Sequence, residues 1–205
     1  LVENFLPPDG CLLGILACPK PDGETMAVSG EGILDLTDSF KDGFVFYDLP
    51  KGAYRLFVLF TTHTGGGREH YMNLLDRESV KVFLDEVYEK HYERYGKEFG
   101  KTFAGFFSDE PEIGNVSGYP FDCLPGQPDI RLPWSKELEK ELRNQWGKEF
   151  LENLVALWYA RGEKTGELRV QYMNCVTKLV YQCFSGQVGE WCRNHGVEYI
   201  GHIIE

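Results

Sequence analysis

From Ser79 onward the apolar residues keep two different periods in turn, and that alternation constrains the fold more than any other feature. Val80, Phe83, Leu84, Val87, Tyr88, His91, Tyr92 and Tyr95 recur every three or four residues, as one face of a helix does. Asp76 is a suitable N-cap and Gly96 a suitable stop. "TFAGFF" then reads as a compact strand, and "GYPFDCLPGQPDIRLPW" as a proline-rich loop long enough to carry function. Ser135 opens a helix through Leu138, Leu142 and Trp146, which Gly147 interrupts before "FLENLVALWY". A longer helix from about Leu168 keeps Tyr172, Val176, Leu179, Val180, Cys183, Phe184, Val188, Trp191 and Cys192 on one face. "NHG" ends it, and "VEYIGHII" reads as the next strand. Such an order implies an α/β fold: a parallel sheet with helical crossovers, whose functional groups collect at the carboxyl ends of the strands.

The first third is different. "CLLGILAC", "GILDLT", "GFVFYDL" and "YRLFVLFTT" are short runs rich in aromatic and β-branched residues, with turn-like "DSFKDG" and "PKG" between them. Antiparallel hairpins are expected there, followed by a flexible loop at "TGGGRE". The chain therefore divides into a β-rich segment, residues 1–70, and a βα portion, residues 71–205.

The net charge of −11 disfavours nucleic acid as a partner, because phosphate binding calls for a basic face, and makes a neutral substrate the easier expectation. The longest apolar runs are far short of the ~20 residues that a membrane helix needs. Cys11, Cys18, Cys123, Cys175, Cys183 and Cys192 show no CxxC pair and no zinc-like spacing. The last three would lie ~12 Å apart along a straight helix, beyond disulfide reach, so they read as small buried hydrophobes. A reducing compartment such as the cytoplasm is expected on that ground. The chain begins at Leu1 without an initiator Met, so a secreted or periplasmic protein stripped of its signal is the alternative.

Candidate chemistry centres on "GFFSDEPEIGN", where Asp109, Glu110 and Glu112 follow an apolar strand and surround Pro111. Proline disfavours the helical backbone for the preceding residue, so Glu110 is expected to be extended and to continue the strand. Alternation then puts Ser108 with Glu110 on the face expected to point inward, and Phe107 with Asp109 on the other. Glu205 ends the next strand candidate, with His202 on the opposite face. Two carboxyl groups across a cleft suit glycosidic cleavage, one donating a proton and the other activating water or attacking the sugar. The competing reading is that these acids are solvated or cap helices. Glu112 is the candidate metal ligand beside Asp109 and Glu110, whose oxygens are of the kind Ca²⁺ accepts; the sequence itself requires no cofactor. Tyr71, Asn73, Tyr119, Phe121 and Trp134 flank the strand ends, where rings stack on sugar faces and amides bind hydroxyls. His63, Glu69 and His70 have metal-ligand side chains without zinc-like spacing and read as loop-lining. His91 reads as a satisfied core histidine.

Several segments carry a family likeness in the same order: "YMNLLDRESVKVFLDEVYEKHYERYGKEFGKTFAGFFSDEPE", "LPWSKELEKELRNQWG", "RVQYMNCVTKLVYQCFSGQVGEWCRNHG" and "YIGHIIE". They resemble bacterial glycoside hydrolases of the α-L-rhamnosidase-like type, related to family 106. "LDLTDSFKDGFVFYDLPKGAYRLFVLF" is similar to the β-rich part those proteins carry beside or within their barrel. The resemblance implies a partial (β/α)8 barrel, about its third and fourth strands, in a longer polypeptide that supplies the rest. It implies Glu205 as general acid and Glu110 as a catalytic or sugar-binding partner, with Asp109 and His202 orienting them. It also implies inversion, Ca²⁺ use and a carbohydrate partner. A part of a barrel is expected to be inactive alone. The alternative is a non-catalytic carbohydrate-binding or scaffold module.

Overall fold

The computed structural model describes residues 2–64, 67, 70–113 and 124–202. Strands among them are β1 (Cys11–Pro19), β2 (Ala27–Val28), β3 (Leu34–Asp35), β4 (Phe40–Lys41), β5 (Phe44–Val45), β6 (Tyr54–Thr61), β7 (Gly105–Ser108), β8 (Ala160–Arg161) and β9 (Glu198–Gly201). The α-helices are α1 (Arg77–Phe83), α2 (Glu89–Tyr95), α3 (Lys136–Trp146), α4 (Phe150–Leu154), α5 (Thr165–Leu179) and α6 (Gly186–Asn194). Two units interleave along the chain. Leu1–Glu69, Asn115–Leu132 and Leu142–Met173 make the first; His70–Gly114, Pro133–Glu141 and Asn174–Glu205 make the second.

In the first unit β1 is the middle strand, antiparallel to β3 on one side and to β6 on the other. Its residues Gly14 to Cys18 are buried on both faces, which explains why the run is continuously apolar rather than alternating. Ile15 and Ala17 form a cluster with Leu36, onto which Leu12, Leu34, Phe40, Val45 and Tyr54 pack. Asp42 and Gly43, with φ of +52° and +85°, make the tight turn that joins β4 to β5. Phe40 and Lys41 of the turn expected at "DSFKDG" are thus paired strand, and β6 joins β1 rather than β5. The parallel β2–β8 pair was not legible in so short a run. The Asp9 carboxylate accepts hydrogen bonds from the Thr62 and Thr64 hydroxyls, 2.7 Å each, and from the His63 N–H, 2.6 Å. These bonds, the Thr62 hydroxyl first, hold Asp9 far below the usual carboxylate range.

The second unit opens with the expected cap: the Asp76 carboxylate accepts the Glu78 N–H at 3.0 Å. Helical structure then runs through α1, a π turn at Leu84–Tyr88 and α2. Val80, Leu84 and Tyr88 are buried, but His91, Tyr92 and Tyr95 are exposed, which corrects the core assignment of His91. The π turn holds an extra residue and so rotates the turns of α2 off the apolar stripe. His91 Nδ1–H donates to the Val87 carbonyl at 2.7 Å, and its ring meets Phe106 edge-on at 5.8 Å.

Strands β7 and β9 are parallel neighbours, in register from Gly105↔Glu198 to Ser108↔Gly201. Glycine is required at both ends of this ladder. A Cβ on Gly105 would lie 2.2 Å from the Glu198 carbonyl oxygen, and one on Gly201 2.3 Å from that of Ser108. One face of the pair packs on helices: Phe106 stacks on Tyr88 at 4.0 Å and meets Trp191 of α6 edge-on at 5.9 Å. Tyr199 shares this face, its hydroxyl 2.7 Å from Ser108 Oγ. On the other face, Phe107 and Ile200 are 56% and 67% exposed.

Cys175, Cys183 and Cys192 are buried, as expected; Cys18 is buried as well, and Cys11 is exposed. Burial pushes the thiol of Cys18 up to about 12 and that of Cys192 up to about 11.

Candidate functional site

The carboxyl ends of β7 and β9 lie side by side because the strands are parallel and paired. The His202 N–H donates to the Ser108 carbonyl at 3.1 Å and extends the ladder one step past β9. Asp109 and His202 therefore emerge together, with Asp109 Oδ1 3.4 Å from His202 Nδ1. Both side chains are largely open to solvent, and the Phe107 ring lies edge-on to the imidazole at 5.3 Å. Asp109, Phe107 and His202 belong to the open face. Ser108 belongs with Phe106 to the helix-packed face, so the inward orientation expected for Ser108 is reversed.

Glu110 departs from its expected extended backbone. Its φ is +42°, in the left-handed region, so the strand ends at Ser108 and the chain turns immediately. Pro111 disfavours the right-handed helical conformation at Glu110 but still leaves this bend open. A non-glycine residue held there costs about 1–3 kcal/mol, so the surroundings must supply the constraint. Beyond the bend the third acid turns inward: Glu112 is 9% exposed, a buried polar side chain like Ser135 and Asn153. Of the three acids it is the one shielded from water, a distinction that their clustering in "DEPE" does not reveal.

Two of the proposed sugar ligands hold the rim together. The Tyr71 hydroxyl accepts the Glu112 N–H at 3.1 Å. Asn73 donates from Nδ2 to the Trp134 carbonyl at 2.8 Å, accepts the Leu75 N–H at Oδ1 at 3.0 Å, and donates its own N–H to Ser79 Oγ at 2.9 Å. With both ends of its amide so used, Asn73 staples one loop to another. Trp134 is half-buried beside Ser135, whose hydroxyl accepts the Leu138 N–H at 3.0 Å as the cap of α3. Residues 70–73, 109–113 and 133–135 thus form one connected rim. Glu205, Tyr119, Phe121, Glu69 and Cys123 lie outside the described residues.

Among the described residues no three His, Cys, Asp or Glu side chains come together as a metal-binding group. These residues do not by themselves provide the ligand set for Ca²⁺ at Glu112, and no chemistry below runs through a metal. No described helix is long and apolar enough to cross a membrane. A cleft of about 850 Å³ in the second unit is lined by Arg77, Gln182, Gln187, Arg193 and Glu198, toward the start of β9, and includes none of the acidic turn.

No protein-family model and no curated protein matches the chain. Its backbone does resemble part of a solved structure, the rhamnosidase from Novosphingobium sp. PP1Y, with a TM-score of 0.59. At 18% identity the likeness concerns fold alone. The match covers 88% of this chain but 17% of that one, so the chain spans a small part of the enzyme's length. The likeness is therefore one of backbone fold to part of that enzyme.

Proposed function

We propose that the chain contributes part of the catalytic barrel of a glycoside hydrolase, with α-L-rhamnosides as the first substrates to consider. The observation that carries this reading is the parallel β7–β9 pair, which delivers Asp109 and His202 to one rim beside Glu110 and Glu112. The fold likeness to a rhamnosidase supports it.

In this reading the rim belongs to a (β/α)8 barrel completed by further polypeptide. Glu205 donates a proton to the leaving glycosidic oxygen, and Glu110 acts as the partner carboxylate, as base toward water or as ligand to the sugar. Asp109 and His202 orient the substrate or the acids, and Trp134 and Tyr119 offer ring faces to the pyranose. Water supplies the hydroxyl that replaces the aglycone, and the aglycone leaves with the donated proton. The acidic surface suits a neutral glycan.

The test is hydrolysis of aryl glycosides by the longer polypeptide that contains this chain, across a panel of pyranosides that includes α-L-rhamnoside. Turnover that falls by about a hundredfold or more in Glu205→Gln supports the reading. Absence of turnover on every glycoside, or full activity in the variant, contradicts it. The isolated 205 residues are expected to be inactive, because an open parallel pair leaves part of any cleft unbuilt.

A further inference from the structure

We infer that Tyr71 is the positioning residue of the acidic turn: by holding the Glu112 backbone, its hydroxyl sets where the Glu110 and Glu112 carboxylates point. The inference deepens the glycosidase reading and rests on it for its kinetic consequence, but not for its structural one.

Three observations converge on this bond. Among the described residues the non-glycine positions with positive φ are Asp42, His70 and Glu110. Two of these flank the Tyr71–Glu112 hydrogen bond, His70 next to the acceptor residue and Glu110 two residues before the donor. Strained backbone persists only where neighbouring contacts over-determine it, so strain on both sides of one bond marks a constrained junction. Secondly, Pro111 has no N–H, which makes the Glu112 amide the first donor after the bend. In a residue only 9% exposed, that amide needs a protein acceptor, and the Tyr71 hydroxyl at 3.1 Å is that acceptor. Thirdly, the segment bearing Tyr71 is itself fixed: the Asn73 backbone and side chain make three bonds, and Asp76 caps α1. The hydroxyl therefore belongs to an anchored support rather than a free loop.

Tyr71 acts through Glu112 and need not touch the reacting atoms. Without its hydroxyl, Glu110 can relax from the left-handed conformation and carry both carboxylates with it. A misplaced carboxylate affects the transition state more than ground-state binding, so the loss falls on kcat.

The experiment is Tyr71→Phe in the intact longer protein, with two readouts. Hydrogen exchange in the peptide spanning residues 109–113 should accelerate by about tenfold, the scale of one lost hydrogen bond. For aryl glycoside hydrolysis, kcat should fall by about tenfold with KM within about twofold. Exchange that stays at the wild-type rate overturns the inference, whatever the activity. Accelerated exchange with unchanged kcat, or a loss confined to KM, overturns the positioning role. If the wild-type protein hydrolyses no glycoside, the functional reading fails instead, and the exchange rate alone decides whether Tyr71 holds the turn.

Discussion

The β1–β6 and β7–β9 ladders solve the same problem in opposite ways. β1 is paired on both edges and buried on both faces over Gly14 to Cys18, so its side chains are committed to packing. β7 and β9 pair over four residues, commit one face to an aromatic cluster and leave Phe107 and Ile200 open on the other. Acids and a histidine gather at the carboxyl ends of the second pair. Where packing claims every side chain, none is left for chemistry; where a face and an end stay open, strained backbone and polar groups can be maintained. The half-covered sheet, not the better-built one, carries the candidate site.

The comparison can be broken first by stability. Leu16→Ala should cost about 2–5 kcal/mol, because the side chain is fully buried and a cavity remains, whereas Ile200→Ala should stay within about 0.5 kcal/mol. Urea unfolding of both variants measures this, and similar losses would show that the two sheets are equally committed. Within β7 itself, Phe106→Ala should cost about 3 kcal/mol and Phe107→Ala less than about 1 kcal/mol, since only Phe106 stacks among the helices. Reversal of that order would put the open face on the wrong side.

Alkaline pH tests the packing that both regions share. Burial raises the Cys18 thiol from 9.0 to about 12 and the Cys192 thiol from 9.0 to about 11. The native state then keeps protons that the unfolded chain releases, so stability present below pH 9 falls as pH rises toward those values. Cys18→Ala and Cys192→Ala should each flatten this decline, and by similar amounts below about pH 10.5. Chemical denaturation between pH 8 and about 10.5 reads these slopes, and an undiminished decline in either variant would contradict the burial of that thiol. The smallest effect is expected at the rim: Asp109→Asn should change stability by less than about 0.5 kcal/mol, because its contact with His202 is solvent-exposed. A larger loss would make that contact structural.

Much of the fold was legible because periodicity reports burial directly. The helix starting after Asp76, the cap at Ser135 and the strands at β7 and β9 follow from apolar spacing and capping chemistry. The parallel pairing followed from their order along the chain. The features that the sequence concealed were set by non-local geometry. The π turn at Leu84–Tyr88 shifted His91 out of the core, and no residue type announces such a turn. Glu110 was misread because the proline rule excludes one conformation without choosing between the others. Tyr71 and Asn73 were recognised as rim residues, but their roles as supports depend on partners 41 and 61 residues away. The interleaving of the two units is likewise invisible to a reading that moves along the chain.

The central claim is that the carboxylates at the end of β7 perform chemistry. Its most direct measurement is kcat for aryl α-L-rhamnoside hydrolysis by a polypeptide carrying the whole proposed barrel and by its Glu110→Gln and Glu112→Gln variants, with melting temperature monitored. The account predicts a fall of about a hundredfold or more in at least one variant, with melting temperature shifted by less than about 3 °C. Wild-type kcat in both variants would contradict it.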